Sequence, residues 1–241
     1  MPAEIDGNGW IARMGRSICK CPVTLGLTAL MILLNWGLSE MAPELMQKIP
    51  ALLEYDRTAI ADGEIWRLIS GNLVHWSVEH ACLDVGAFAI VGWMFERRLR
   101  GIYAPLLIAS GLCVGLALWL GEPQLERYRG FSGVNSAQFA AVVLVELRTA
   151  WRTPRRWLWV APAAGIFLVK IVSECATGTM FFGTESLGDI GMPVPMSHAA
   201  GALSGASLAI IVCALDNRAQ APTTPATAPQ LCQNCDSRGP S

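Results

Sequence analysis

Charge is scarce in this sequence. Asp, Glu, Lys and Arg make up 15% of its 241 residues, where a soluble domain carries about 25%. Hydrophobic residues make up 53%, the mean hydropathy is +0.41, and a water-soluble fold would struggle to hide so much apolar surface. Neither sign of charge dominates, with 18 basic against 19 acidic residues, so the bulk charge points to no nucleic-acid partner. Internal repeats are lacking too. Histidine is almost absent, at three residues. Cysteine is not, at eight, but Cys82, Cys113, Cys175 and Cys213 lie in or beside apolar segments. Cys19, Cys21, Cys232 and Cys235 lie near the termini. Reduced, small, buried thiols are therefore expected, not a disulfide framework. The Cys232–Cys235 CxxC offers two ligands where a structural zinc takes four, so no metal site is expected.

A membrane span needs about 20 mostly apolar residues. Six segments qualify, at about 22–39, 78–95, 102–120, 132–147, 157–176 and 196–215. Basic residues recur on every second connection: Arg13, Arg16 and Lys20 before the first span, Arg97, Arg98 and Arg100 after the second, and Arg148, Arg152, Arg155 and Arg156 after the fourth. The connections between are acidic or mixed. By the positive-inside rule the basic ones are cytoplasmic, and so are both termini. The N-terminal stretch lacks a clear small-residue cleavage site and is not expected to be a removable signal. The organisation expected is a cytoplasmic segment over 1–21, an all-α membrane domain over 22–216, and a disordered cytoplasmic tail over 217–241, rich in Ala, Pro and Thr. Between the first two spans, Leu45, Ile49, Leu52 and Leu53 have helical spacing, so Pro43 to Asp62 reads as an amphipathic helix in the outer interface.

Ionisable residues inside spans are costly and mark functional positions by default. His75, His80 and His198 all fall at the outer ends of spans. His80 and Asp84 share one helix face. Ser132 opens the fourth span inside Gly130-Phe131-Ser132-Gly133, and His198 opens the sixth, followed by Gly201 and Gly205. A serine hydroxyl is a weak nucleophile until a base takes its proton, and histidine is the natural base. Glycines beside Ser132 permit a tight turn and close approach of a substrate. Gly201 and Gly205 let the sixth helix pack closely on a neighbour, and the fourth helix is the neighbour that would bring His198 to Ser132. His80 and the Ser132 amide would then face a developing oxyanion. Each feature also has a plainer explanation: Ser132 as a helix N-cap, the histidines as interface residues, the glycines as packing alone. A small transporter with His80, Asp84 and His198 on a proton path is another reading. The residues by themselves leave these open.

Together the motifs resemble the rhomboid family of intramembrane serine proteases, over roughly Gly63 to Gly205. Trp66-Arg67 is similar to the Trp-Arg motif before the second helix. His75, His80 and position 84 reproduce that helix's spacing, and Gly92 with Glu96 resembles its GxxxE ending. Gly130 to Gly133 resembles the GxSG bearing the nucleophile, and His198 with Gly201 and Gly205 resembles the HxxGxxxG of the last helix. The resemblance implies a six-helix bundle in a bacterial inner membrane with its site open to the periplasmic face, and a Ser132–His198 dyad without a third carboxylate. It implies an oxyanion site from His80, position 84 and backbone amides, with no cofactor. Its partners would be membrane-anchored proteins cut in or near their transmembrane segment. A narrower resemblance is to the rhombosortases, which process C-terminal Gly-Gly, transmembrane and basic tails. A catalytically inactive, client-binding relative is the alternative.

Two positions depart from the family pattern. Ser197 stands where Ala is usual. Asp84 stands where many members carry Asn, and a carboxylate cannot donate to an oxyanion unless protonated. Asp84 is either neutral, or an orienting partner that favours protonated His80, or the mark of a degraded site. The second is the expectation carried forward.

Overall fold

A computed structural model describes residues 21–37, 43–99, 101–151, 153–179 and 194–219. The expectations for residues 1–20 and for the tail beyond 219, including the CxxC, lie outside the described residues. The helices are α1 (Pro22–Ile32, extended by a π-turn over Leu33–Gly37), α2 (Pro43–Leu53), α3 (Arg57–Ala61), α4 (Arg67–Ser70), α5 (Val78–Phe95), α6 (Tyr103–Gly121), α7 (Ser132–Ala150), α8 (Trp157–Thr177) and α9 (Pro195–Ala219). Helices α1, α5, α6, α7, α8 and α9 form a helical membrane bundle. Four of them, α5, α6, α8 and α9, are long and apolar enough to cross a membrane, and α1 is a shorter apolar helix. Helix α7 is long enough but more polar, carrying Asn135, Gln138, Glu146 and Arg148. It is the most enclosed helix of the bundle and packs on α5, α6, α8 and α9.

Local signals place the helix starts. Pro22 and Pro195 stand at first helical positions, where a missing N–H costs nothing. The start of α1 is capped from a distance, since the Glu96 carboxylate accepts from the amides of Val23 at 3.0 Å and Thr24 at 2.8 Å. Gly92, one turn before Glu96, keeps this joint close: a Cβ there would fall on Thr24 and the Tyr103 hydroxyl. Asp56 caps α3 through the Ala59 amide, and Ser77 caps α5 through the His80 amide.

The stretch expected as one interfacial helix from Pro43 to Asp62 is not one helix. It ends at Leu53, and Tyr55–Asp56 (β1) pairs antiparallel with Arg127–Tyr128 (β2), with Tyr55 opposite Tyr128 and Asp56 opposite Arg127. The reason is the polar cluster around buried Glu54, whose carboxylate accepts from Arg129 Nε at 2.8 Å. Arg67 Nη1 donates to the Ala51 and Glu54 carbonyls, and its Nε to Glu64. Arg57 covers the carbonyls at the end of α6, with bonds to Leu118, Trp119, Glu122 and Leu125. Arg67 thus braces the first connection internally, while Arg57 and Arg129 fasten it to the chain between α6 and α7.

The thiols are not all buried. Cys82, Cys113 and Cys175 lie on the outer surface, and Cys21 is buried. In a bilayer the apolar surroundings of a small thiol are supplied by lipid as well as by protein, so burial inside the bundle is not required.

The closest helix contact joins α7 to α9. A Cβ at Gly201 would fall on the Gly133 carbonyl oxygen, and one at Gly205 on that of Ala137. Gly165 on α8, by contrast, faces open space. Gly205→Ala is therefore expected to force the two helices apart, lowering stability by about 1–3 kcal/mol, the usual cost of overpacking, whereas Gly165→Ala stays within about 1 kcal/mol of the parent. Thermal unfolding in matched detergent checks the contrast, and equal midpoints would contradict it.

Candidate active site

Ser132 is the first residue of α7, and the chain reaches it through a strained approach. Gly130 has φ of 138°, a conformation that side chains disfavour. Its missing Cβ also leaves room for His80, since an added Cβ would lie 2.9 Å from His80 Cε1. The helix cap position is Phe131, with no side-chain cap, so the Ser132 hydroxyl is not spent on capping. It lies 2.9 Å from His198 Nε2. His198 is in the first turn of α9 and 3% exposed. Gly133 and Gly201 set the approach, with the backbones of the two helices in contact one position after Ser132 and three after His198. Ser197 donates to the Val194 carbonyl at 2.7 Å and so belongs to the start of α9.

The other face of His198 meets a carboxylate. Glu174 Oε2 lies 2.6 Å from His198 Nδ1, and Lys170 Nζ lies 2.8 Å from the same oxygen and 3.0 Å from Nδ1. The resemblance implies a pair with no third carboxylate; in the structure a carboxylate lies against the histidine of that pair. Lys170 and Glu174 are four residues apart on α8, so they share a face, and that face turns toward the start of α9. The signal was present in the sequence, because both ionisable residues fall inside the fifth apolar span.

Asp84 is buried on α5. Its Oδ2 accepts from the Phe131 amide at 2.7 Å, and the same oxygen lies 3.3 Å from His75 Nε2 and 3.4 Å from His80 Nε2. The rings of His75 and His80 meet edge to face with centroids 5.1 Å apart. Asn35, on the π-turn of α1, accepts from the His75 amide and faces His75 Nδ1, while its own amide donates to the Met31 and Leu73 carbonyls. Asn135 donates to the Asp84 carbonyl. Asp84 thus ties α5 to the turn preceding Ser132. It also leaves His80 Nδ1 buried without a hydrogen-bond partner among the described residues. Tyr128, in β2, closes this end of the bundle, and burial above all pushes its hydroxyl up to about 12, so it stays neutral.

A cavity of about 620 Å³ opens beside the serine, between α5, α7 and α8, with Ser132, Asp84, Lys170 and His198 at one end and Leu83, Val91, Ile166 and Phe167 along its apolar walls. Trp66, on the rim of the first connection, is exposed and does not reach this site. His75, Gly92, Glu96 and Arg67 act on the frame around it.

A helical membrane bundle with a serine and a histidine in hydrogen-bond contact at one end of two closely packed helices defines the class. Residues 62–215 match the rhomboid domain, and the chain belongs to the rhomboid family. It is also 31% identical over 124 residues to the "Rhomboid protease GlpG" of Haemophilus influenzae, a match that covers 51% of this chain and 62% of that protein, less than two thirds of the relative's length.

The Asp84 geometry yields an expected outcome. Asp84→Asn removes the negative charge that faces His80, and is expected to slow reaction of Ser132 with a fluorophosphonate probe about ten- to a hundredfold, on the scale of weakening one oxyanion donor. An unchanged or faster rate would count against this role.

Proposed function

We propose that the protein is an intramembrane serine endopeptidase that cuts membrane-anchored proteins in or near their transmembrane segment. The observation that carries the reading is the 2.9 Å contact between Ser132 Oγ and His198 Nε2, in a chain of this family. Ser132 attacks the scissile carbonyl as its proton passes to His198 Nε2. The tetrahedral oxyanion is met by the Ser132 backbone amide and by His80, whose ring lies against Gly130 at the turn before Ser132. Asp84, facing Nε2 of that ring, holds its orientation. Collapse of the intermediate expels the amine, which takes its proton from His198, and leaves an acyl-enzyme. Water, with His198 again as base, releases it.

The cavity beside Ser132 supports a peptide substrate. Its walls are apolar and its polar groups sit at the serine end, as suits a segment leaving lipid to be cut. The loop charges support an orientation with both termini cytoplasmic and the serine end toward the periplasm of a bacterial inner membrane. Residues 22–216 would form the membrane domain, without a metal or cofactor. Within this class, processing of C-terminal Gly-Gly, transmembrane and basic tails is the narrower reading.

Co-expression with anchored substrates, one set carrying such tails, tests the proposal. Cleavage is expected from the parent, and a loss of more than about a thousandfold from Ser132→Ala and from His198→Ala, as when a nucleophile or its base is removed. Equal processing by all three would sink the protease assignment. Client binding without cleavage would favour an inactive relative, and ion-coupled flux lost on changing Asp84 would favour a transporter.

A further inference from the structure

We infer that Glu174 is a positioning residue that holds His198 in the tautomer able to act as a base, with Lys170 as the counter-ion of its carboxylate. The inference rests on the assignment of His198 as base to Ser132.

Helix α8 is the most outward-facing of the long helices. Among its described residues only Val160 and Glu174 are buried, and Glu174 is 1% exposed. A carboxylate withdrawn from water carries a large desolvation cost unless it is paired and hydrogen-bonded. An outward-facing apolar helix that turns its one deeply buried acid onto a histidine is therefore not explained by packing alone. The contact is also directional. An ionised carboxylate only accepts, so at 2.6 Å it requires the proton on His198 Nδ1. In the neutral ring that leaves the Nε2 lone pair facing Ser132 Oγ at 2.9 Å, the direction in which a base must point.

Lys170 pulls the opposite way. Its ammonium only donates, and at 3.0 Å from Nδ1 it would, alone, favour a bare Nδ1 with the proton on Nε2. His198 would then donate to Ser132 and could not take its proton. Glu174 resolves the conflict, because its Oε2 lies 2.8 Å from the ammonium and accepts from it and from the ring together. The lysine in turn balances the carboxylate charge. When the Ser132 proton arrives at Nε2, the Nδ1 proton stays in place against Glu174 and the imidazolium is stabilised where it forms.

The test uses the full chain in lipid nanodiscs, with three readouts: the rate of Ser132 labelling by a fluorophosphonate, the nitrogen NMR signals of the three histidines, and the thermal midpoint. In the parent, His198 is expected to carry its resting proton on Nδ1; a resting proton on Nε2 overturns the inference without any variant. Glu174→Gln is expected to slow labelling by up to about 10⁴-fold, the loss when the orienting acid of a triad is neutralised, and to move the His198 proton toward Nε2. Glu174→Asp recovers part of the rate. Labelling of Glu174→Gln at the parent rate overturns the inference. Should that variant fail to fold, Lys170→Met leaves the carboxylate on the ring and is expected to keep the proton on Nδ1; a proton on Nε2 there also overturns it. Labelling that ignores Ser132→Ala and His198→Ala defeats the underlying assignment, whereas dependence on both with indifference to Glu174 defeats only the inference.

Discussion

The direct contact of two helix backbones is the constraint on which the rest of this molecule depends. Helices α7 and α9 touch at Gly133 against Gly201 and at Ala137 against Gly205, with no space for a Cβ on the α9 side. Ser132 and His198 stand at the starts of these same two helices, so the backbone approach fixes their separation before any side-chain interaction is counted. Lipid offers little hydrophobic drive for helices to associate, and close packing of small residues replaces it. A serine–histidine hydrogen bond at this position is thus a consequence of glycine placement several residues away.

Among the described residues, the other carboxylates buried in the bundle are paired. Glu96 caps α1, Glu54 receives Arg129, and Glu146, on the far part of α7, pairs with Arg98 and Arg156. The Glu96, Glu54–Arg129 and Glu146–Arg98 contacts join segments distant in sequence. Asp84 and Glu174 differ in what they hold. Asp84 bonds the turn entering α7 and faces two histidines, and Glu174 meets the ring bonded to Ser132. The polarity of α7, which keeps it below the hydropathy of a simple span, follows from its enclosure: its neighbours, not lipid, surround it.

Much of this was legible in one sequence. The span limits read from hydropathy fall within a few residues of the helices at both ends of α5, α6 and α8, because apolar length and flanking charge report directly on a bilayer. Ser132, His198 and the glycines of α9 could be singled out because small and ionisable residues are conspicuous in an apolar background. Other features were not legible. The break in the first connection depends on Glu54 and the arginines around it, which meet only through pairing of β1 with β2. The outward position of Cys82, Cys113 and Cys175 is not legible because burial in lipid and burial in protein read alike in hydropathy. The placement of Glu174 against His198 is not legible from spacing, because a carboxylate four residues from a lysine on one helix can pair within that helix alone. Only the approach of α9 shows that a third group completes it.

The account stands most directly on where a covalent adduct forms and what surrounds it. A crystal structure of the protein after reaction with a serine-directed phosphonate would show this. The expected result is a bond from phosphorus to Ser132 Oγ, the phosphoryl oxygen turned toward the Ser132 amide and His80, and His198 still between the adduct and Glu174. Phosphorus bound to another residue, or a phosphoryl oxygen turned away from His80 with His198 displaced from Glu174, would contradict it.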